Sequence, residues 1–81
     1  MMIDVAQIRA ARALLNISQS ELAETASVHV ATIRRLEAAS AVRGAAESLY
    51  KVQMAIEKLG VELIPAEAGK GPGVRLKVKT S

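Results

Sequence analysis

The sequence contains no cysteine, no phenylalanine and no tryptophan, and Tyr50 is its one aromatic residue. Without cysteine the chain has neither a disulfide framework nor a thiolate zinc site, which favours a reducing compartment such as the cytoplasm. The apolar runs are only a few residues long, so the sequence predicts no membrane span. The N-terminus lacks a basic start followed by an apolar stretch, and we therefore expect no signal peptide.

Reactive side chains are also scarce. The sequence has one histidine, His29, and offers little acid–base or nucleophilic chemistry. We therefore expect a protein that is not an enzyme, with no catalytic residues, no metal site and no cofactor. A chain of 81 residues forms one small domain that buries about 60% of its unfolded surface. Because large apolar side chains are few, a core shared between two copies is attractive.

Alanine is abundant, with fifteen copies in a chain that is 51% hydrophobic, and alanine favours helices. Two capping boxes, Asp4 with Gln7 and Ser18 with Glu21, predict helix starts. Apolar residues then recur at helical spacing. The expected helices cover about residues 5–15, 19–26, 30–38 and 46–59, and Gly60 ends the last one.

After Gly60 the apolar period changes from 3.6 to 2. Residues 61–64 and 74–79 alternate as strands, and the stretch between them is rich in glycine and proline, which predicts a hairpin. Val74, Leu76 and Val78 share one face that must cover either the helical core or a second copy. We therefore expect a mainly α protein with a four-helix domain at 1–60 and a β-hairpin extension at 61–81.

Charge is distributed unevenly. Residues 1–46 carry +1, residues 47–68 carry −2 and residues 69–81 carry +4, which together make the net charge of +3. A basic C-terminal segment suits an anionic partner. An equally good explanation is a solvated edge strand that its charges protect from aggregation.

Residues 18–39 have the spacing of a helix-turn-helix: two short helices joined by about four residues. Ala23 is small where the helices must approach closely, and Ile33 and Leu36 supply the apolar side of the second helix. The window 17–37 resembles the phage repressor and Cro family of DNA-binding domains. The matching residues are Ser18, Gln19, Leu22, Ala23, Val28, Thr32, Ile33, Leu36 and Glu37, and the similarity extends over about residues 4–60.

The resemblance implies a set of DNA-binding roles. Gln19, the first residue of the second helix, would contact a phosphate. The third helix would lie in the major groove, with Val30, Ala31 and Arg35 facing the bases and Thr32 and Arg34 beside them. Arg43 would grip the DNA backbone. Arg12 and Glu37 match an ion pair that the family buries between its first helix and the end of its third.

Two positions depart from the family pattern. The turn residue is usually glycine, which adopts positive φ readily, but this chain has Ser27. His29 stands where a serine or threonine usually caps the third helix.

The resemblance implies a DNA-binding transcriptional regulator with double-stranded DNA as its partner. We expect a cytoplasmic homodimer that represses by occupying an inverted-repeat operator, with the hairpin as the dimerisation element. The fourth helix is the alternative interface. The alternative function is an antitoxin that binds a protein partner and autoregulates its operon.

Overall fold

The computed structural model describes residues 3–38 and 46–78. Four helices precede one hairpin: α1 (Val5–Leu15), α2 (Gln19–Ala26), α3 (Val30–Ala38), α4 (Ala46–Lys58), β1 (Val61–Ile64) and β2 (Gly73–Leu76). The expected mainly α fold with a C-terminal hairpin is confirmed.

Both predicted capping boxes are present. At α1 the Asp4 carboxylate accepts from the Ala6 amide at 2.8 Å, and the Asp4 amide donates to the Gln7 side chain, also at 2.8 Å. At α2 the Ser18 hydroxyl accepts from the Glu21 amide at 3.0 Å, and the Glu21 carboxylate accepts from the Ser18 amide at 2.9 Å. These bonds satisfy amides that the first turn of a helix leaves without intrahelical partners.

The helix ends are also set by local conformation. Asn16 (φ 55°) and Ser27 (φ 57°) both adopt the left-handed conformation after α1 and α2. In each case the next amide bonds back five residues, Ile17 to the Arg12 carbonyl and Val28 to the Ala23 carbonyl, which is the Schellman arrangement. Gly60, at φ 103°, follows α4 as expected.

The core contains buried residues from all four helices and from the hairpin. Its largest fully buried side chains are Ile8, Leu22, Ile33, Val52, Ile56 and Val61. The expected end of the fourth helix at residue 59 is one residue too late, because α4 ends at Lys58, and Leu59 is 36% exposed.

The two strands pair antiparallel, with Val61 opposite Leu76 and Ile64 opposite Gly73. Within the connecting loop, two backbone hydrogen bonds of 2.9 Å join Glu67 and Lys70. Gly69 supplies the positive φ of 76° that this tight turn requires. The hairpin packs on α1 and α4. Val61 and Leu63 are buried in the same core as the helices.

The predicted length of the second strand, 74–79, is wrong. β2 runs from Gly73 to Leu76, and Lys77 and Val78 are outside it, while Lys79 lies outside the described residues. Its partner β1 has four residues between Gly60 and Pro65. One further backbone hydrogen bond, from the Lys77 amide to the Gly60 carbonyl at 2.8 Å, continues the pairing to Gly60, which follows α4. Only Val74 of the expected apolar face packs against the core, whereas Leu76 is 49% and Val78 is 86% exposed.

Gln7 joins the hairpin to α1. Its side chain is buried, and its amide nitrogen donates to the Ile64 carbonyl at 3.1 Å and the Gly73 carbonyl at 2.9 Å. These carbonyls belong to the last pair of the hairpin. Gln7, the N3 residue of the α1 capping box, therefore also ties the loop-side end of the two strands to α1.

Candidate nucleic-acid interface

Helices α2 and α3 form the expected helix-turn-helix. They pack against each other, and Ala23 is buried where a larger side chain would force them apart. Ser27 turns the chain between them in the left-handed conformation. This geometry presents the outer face of α3 to solvent.

One side of α3 is buried in the core and the other is exposed to solvent. Ile33, Leu36 and Glu37 are buried. Ala31, Arg34 and Arg35 are exposed on the opposite side. The outer face therefore has a small apolar residue between two guanidinium groups, a composition that suits a base-lined groove flanked by phosphates.

Val30 and Thr32 lie at the margins of this face. Both are half-buried, and Val30 packs against the hydrophobic core. At the start of α3 the Thr32 amide donates to the His29 carbonyl at 2.9 Å. Of the five residues expected on α3, Ala31, Arg34 and Arg35 therefore present most surface to a ligand. The expected backbone contact Arg43 lies outside the described residues.

Behind this face, Arg12 of α1 and Glu37 of α3 form a two-pronged ion pair. Arg12 Nε donates to Glu37 Oε2 at 2.6 Å and Arg12 Nη2 donates to Glu37 Oε1 at 2.8 Å. Their side chains are 23% and 5% exposed. Such a fork fixes the relative position of two helices as well as contributing energy.

The surroundings of Glu37 change its ionisation. Burial alone raises the pKa of its carboxyl, but hydrogen bonds from Arg12 and Gln19 and the positive charges of Arg12 and Arg9 outweigh it, so the pKa is below its ordinary value. The hydrogen bond to Glu37 raises the pKa of Arg12. Glu37 therefore stays ionised, and the pair stays charged, at neutral pH.

Gln19, the expected phosphate contact, is held by the same carboxylate. Its side-chain nitrogen donates to Glu37 Oε1 at 3.1 Å, while Arg12 Nη1 donates to the Ile17 carbonyl at 3.1 Å. The ion pair thus fixes both the start of α2 and the side chain of its first residue. One amide hydrogen and the carbonyl oxygen of Gln19 remain for other partners.

Sequence reasoning missed Arg9. Its guanidinium donates to the backbone carbonyl of Glu37, near the end of α3, and so satisfies an acceptor that a helix terminus leaves open. Its position three residues before Arg12, on the same face of α1, was the available signal. The partner could not be identified because it lies 28 residues away in sequence.

Two further observations bound the chemistry of the described residues. In residues 3–38 and 46–78, no three His, Cys, Asp or Glu side chains gather as a metal-binding group would require. Nor does any helix within those ranges have the length and apolar character needed to cross a membrane.

Comparison with known proteins finds a family match for the central part of the chain. Residues 8–43 match the family model described as helix-turn-helix, of the type found in Cro and C1 repressors. The match covers most of α1 and all of α2 and α3. None of the curated proteins matches the chain.

Proposed function

We propose that this protein, whose residues 8–43 belong to the phage repressor and Cro family of helix-turn-helix domains, is a homodimeric repressor that binds an inverted-repeat operator. The family supports the coarser statement that the protein is a DNA-binding transcription regulator. The observation that carries the proposal is the outer face of α3. Arg34 and Arg35 are exposed there, while the opposite side of the helix is buried in the core and joined to α1 by the Arg12–Glu37 ion pair.

In this proposal α3 enters the major groove and α2 lies across the backbone. Arg35 reads guanine through its O6 and N7 atoms, because a guanidinium donates to both at once. Ala31 and the exposed part of Val30 contact thymine methyl groups. Arg34, Thr32 and Gln19 contact the phosphates that flank the groove, together with Arg43.

The ion pair contributes by pre-organisation. Glu37 accepts from Gln19 in the free protein, so the Gln19 side chain is already ordered next to the amides at the start of α2. A phosphate bound there gains both the free amides of the helix terminus and one ordered side chain. Little side-chain entropy remains to be lost on binding.

The antitoxin alternative gains no specific support. An antitoxin would need a segment free to wrap its partner, but residues 61–76 are folded as a hairpin against the helices. Within residues 61–76, Val61 and Leu63 are buried and Val74 packs against the core, so this segment is folded on the helices.

The test is selection of bound sequences from a pool of random duplexes, followed by gel-shift titration. We expect an inverted repeat with half-sites centred about 10–10.5 bp apart, or a multiple of that spacing. Binding must weaken steeply with salt, because arginine–phosphate contacts release counterions. A selection that yields no enriched sequence, with equal affinity for all duplexes, would overturn sequence-specific regulation.

A further inference from the structure

The outer face of α4 has an unusual composition for a solvent-exposed helix face. Leu49, Val52 and Ile56 point into the core, and the opposite side presents Glu47, Tyr50, Lys51, Met54 and Lys58. Tyr50 is 63% and Met54 is 47% exposed. The one aromatic residue of the chain and a methionine thus lie side by side in solvent, with charged residues around them.

This face borders an apolar groove. The groove has a volume of about 560 Å³ and runs between α4 and the end of α2. Ala26 and Ala55 are its small buried residues, Tyr50 and Met54 form its apolar wall, and Lys51 and Lys58 lie along its edge. An open concavity of this kind beside exposed apolar side chains is typical of a docking surface.

The charges on this face are arranged in a directional order. Glu47 stands near the start of α4 and Lys58 is its last residue, eleven positions and about 16 Å apart along the axis. Glu47 also forms an exposed ion pair with Lys51 of its own helix, at 3.5 Å, and this pair leaves one carboxylate oxygen for a second partner. If two α4 helices lie antiparallel about a two-fold axis, the acidic end of each faces the basic end of the other. With the axis between Val52 and Gln53, Glu47 faces the partner's Lys58 and Tyr50 faces the partner's Ala55.

We propose that a second copy of this chain occupies the groove, and that the two copies pair through antiparallel α4 helices with the exposed α4 face as the shared interface. The inference rests on the proposed function insofar as a two-fold operator needs a two-fold protein. The face is self-complementary, as a two-fold interface must be: opposite charges meet at both ends. Between them Tyr50 lies over Ala55 in the partner's groove, and Met54 lies against the alkyl chain of the partner's Lys51.

The hairpin is less suited to this role. Val61, Leu63 and Val74 already pack in the chain's own core, and the exposed large apolar residues in and just after β2 are Leu76 and Val78. One helix face is small beside the roughly 800 Å² per partner of a typical stable interface. The dimer therefore dissociates on dilution, and a two-site operator stabilises it by binding both copies.

The experiment uses two charge-reversed chains, Glu47→Lys and Lys58→Glu, measured by sedimentation equilibrium without DNA. Alone, each variant brings like charges together at both ends of the interface, which is expected to raise the dimer dissociation constant about tenfold or more. Mixed in equal amounts, the two chains recover opposite charges at both ends. We expect the mixture to form a heterodimer with affinity close to that of the parent.

Two further variants complete the design. Met54→Glu places a carboxylate against the apolar groove and is expected to make the chain monomeric, with circular dichroism confirming that the exposed position leaves the fold intact. Val78→Lys, two residues after β2, is the matched control and is expected to dimerise like the parent. Parent-like dimerisation by both charge-reversed chains, failure of their mixture to associate, or a monomeric Val78→Lys chain would each overturn the α4 interface.

The parent chain is measured first, at high concentration and on the selected duplex. If it is monomeric in both states, the interface is overturned. A parent that dimerises through α4 but binds no duplex specifically would overturn the proposed function and support this interface.

Discussion

Arg34 and Arg35 are neighbours in sequence but point about 100° apart around α3, so they address different parts of a bound duplex. Ala31 lies between them on the exposed face. A side chain as small as alanine lets the helix approach the base edges closely. In the proposed docking Arg35 reaches the bases and Arg34 the backbone.

We expect Arg35→Ala to cost about 1–3 kcal/mol per half-site and to relax the preference at one base position, because a bidentate guanine contact is lost. The measurement is a repeat of the sequence selection, with gel-shift titrations on the parent operator and on random duplex. Arg34→Ala is the matched control and must weaken both duplexes about equally. If Arg35→Ala also weakens both equally, Arg35 is a phosphate contact.

The second prediction at the residue scale concerns Ser27. Its φ of 57° is unfavourable for a residue that has a Cβ atom. Ser27→Gly is expected to raise the free energy of unfolding by up to about 1 kcal/mol. Urea unfolding measures this change. Asn16→Gly, at the other left-handed helix end, must gain less, because asparagine tolerates this conformation better. A lower stability of Ser27→Gly would show that serine is favoured at this turn.

At the scale of elements, the Arg12–Glu37 pair locks α1 to α3 and the start of α2. Arg12→Ala leaves the buried Glu37 carboxylate without its main partner and is expected to destabilise the fold by about 3 kcal/mol, the low end for a broken buried pair. The low end applies because the Arg12 side chain is 23% exposed. Thermal and urea melts measure the change.

The double variant Arg12→Met with Glu37→Leu is the control. It replaces both charges by apolar groups and is expected to recover much of the lost stability. A melt of Arg12→Ala that coincides with the parent's would contradict a structural role for the pair.

The same pair gives a pH dependence. The folded pKa of Glu37 is below its ordinary value, so its ionised form stabilises the fold. This contribution is complete above the unfolded pKa of about 4.3 and is lost as the pH falls through the lower folded pKa. The free energy of unfolding is measured by urea titration at a series of pH values from neutral into that range. We expect it to fall less steeply with acid in Glu37→Gln than in the parent. If Glu37→Gln loses stability with acid as steeply as the parent, other carboxylates cause the pH dependence.

Helix boundaries were predictable from the sequence because the signals are local. Asp4 and Ser18 cap their own helices, and Gly60 ends α4 through its own conformation. The end of β2 was not predictable from its alternation, since the length of a strand depends on its partner. The resemblance supplied the Arg12–Glu37 pair. The hydrogen bond from Gln19 to Glu37 depends on how α2 and α3 pack against each other. The spacing of residues along the sequence does not predict that packing.

At the scale of the whole molecule, the hairpin and the helices share one core. Val61 is fully buried, Leu63 is 7% exposed, and the buried Gln7 amide bonds to carbonyls of both strands. A boundary at residue 60 therefore divides residues that pack together. The whole chain, α1 to β2, is expected to unfold in one cooperative step, as small single domains do.

A chain ending at Gly60 tests this. It loses two buried side chains worth about 1.5–3 kcal/mol each, which is a large part of a typical total stability of about 5–15 kcal/mol, and Gln7 loses both carbonyl acceptors. We expect it to be largely unfolded at 25 °C by circular dichroism, with a loss of helical signal. A chain ending at Val78, which keeps both strands, is the control and must melt like the parent. If the chain ending at Gly60 melts like the parent instead, the helical part folds independently and the hairpin is a true extension.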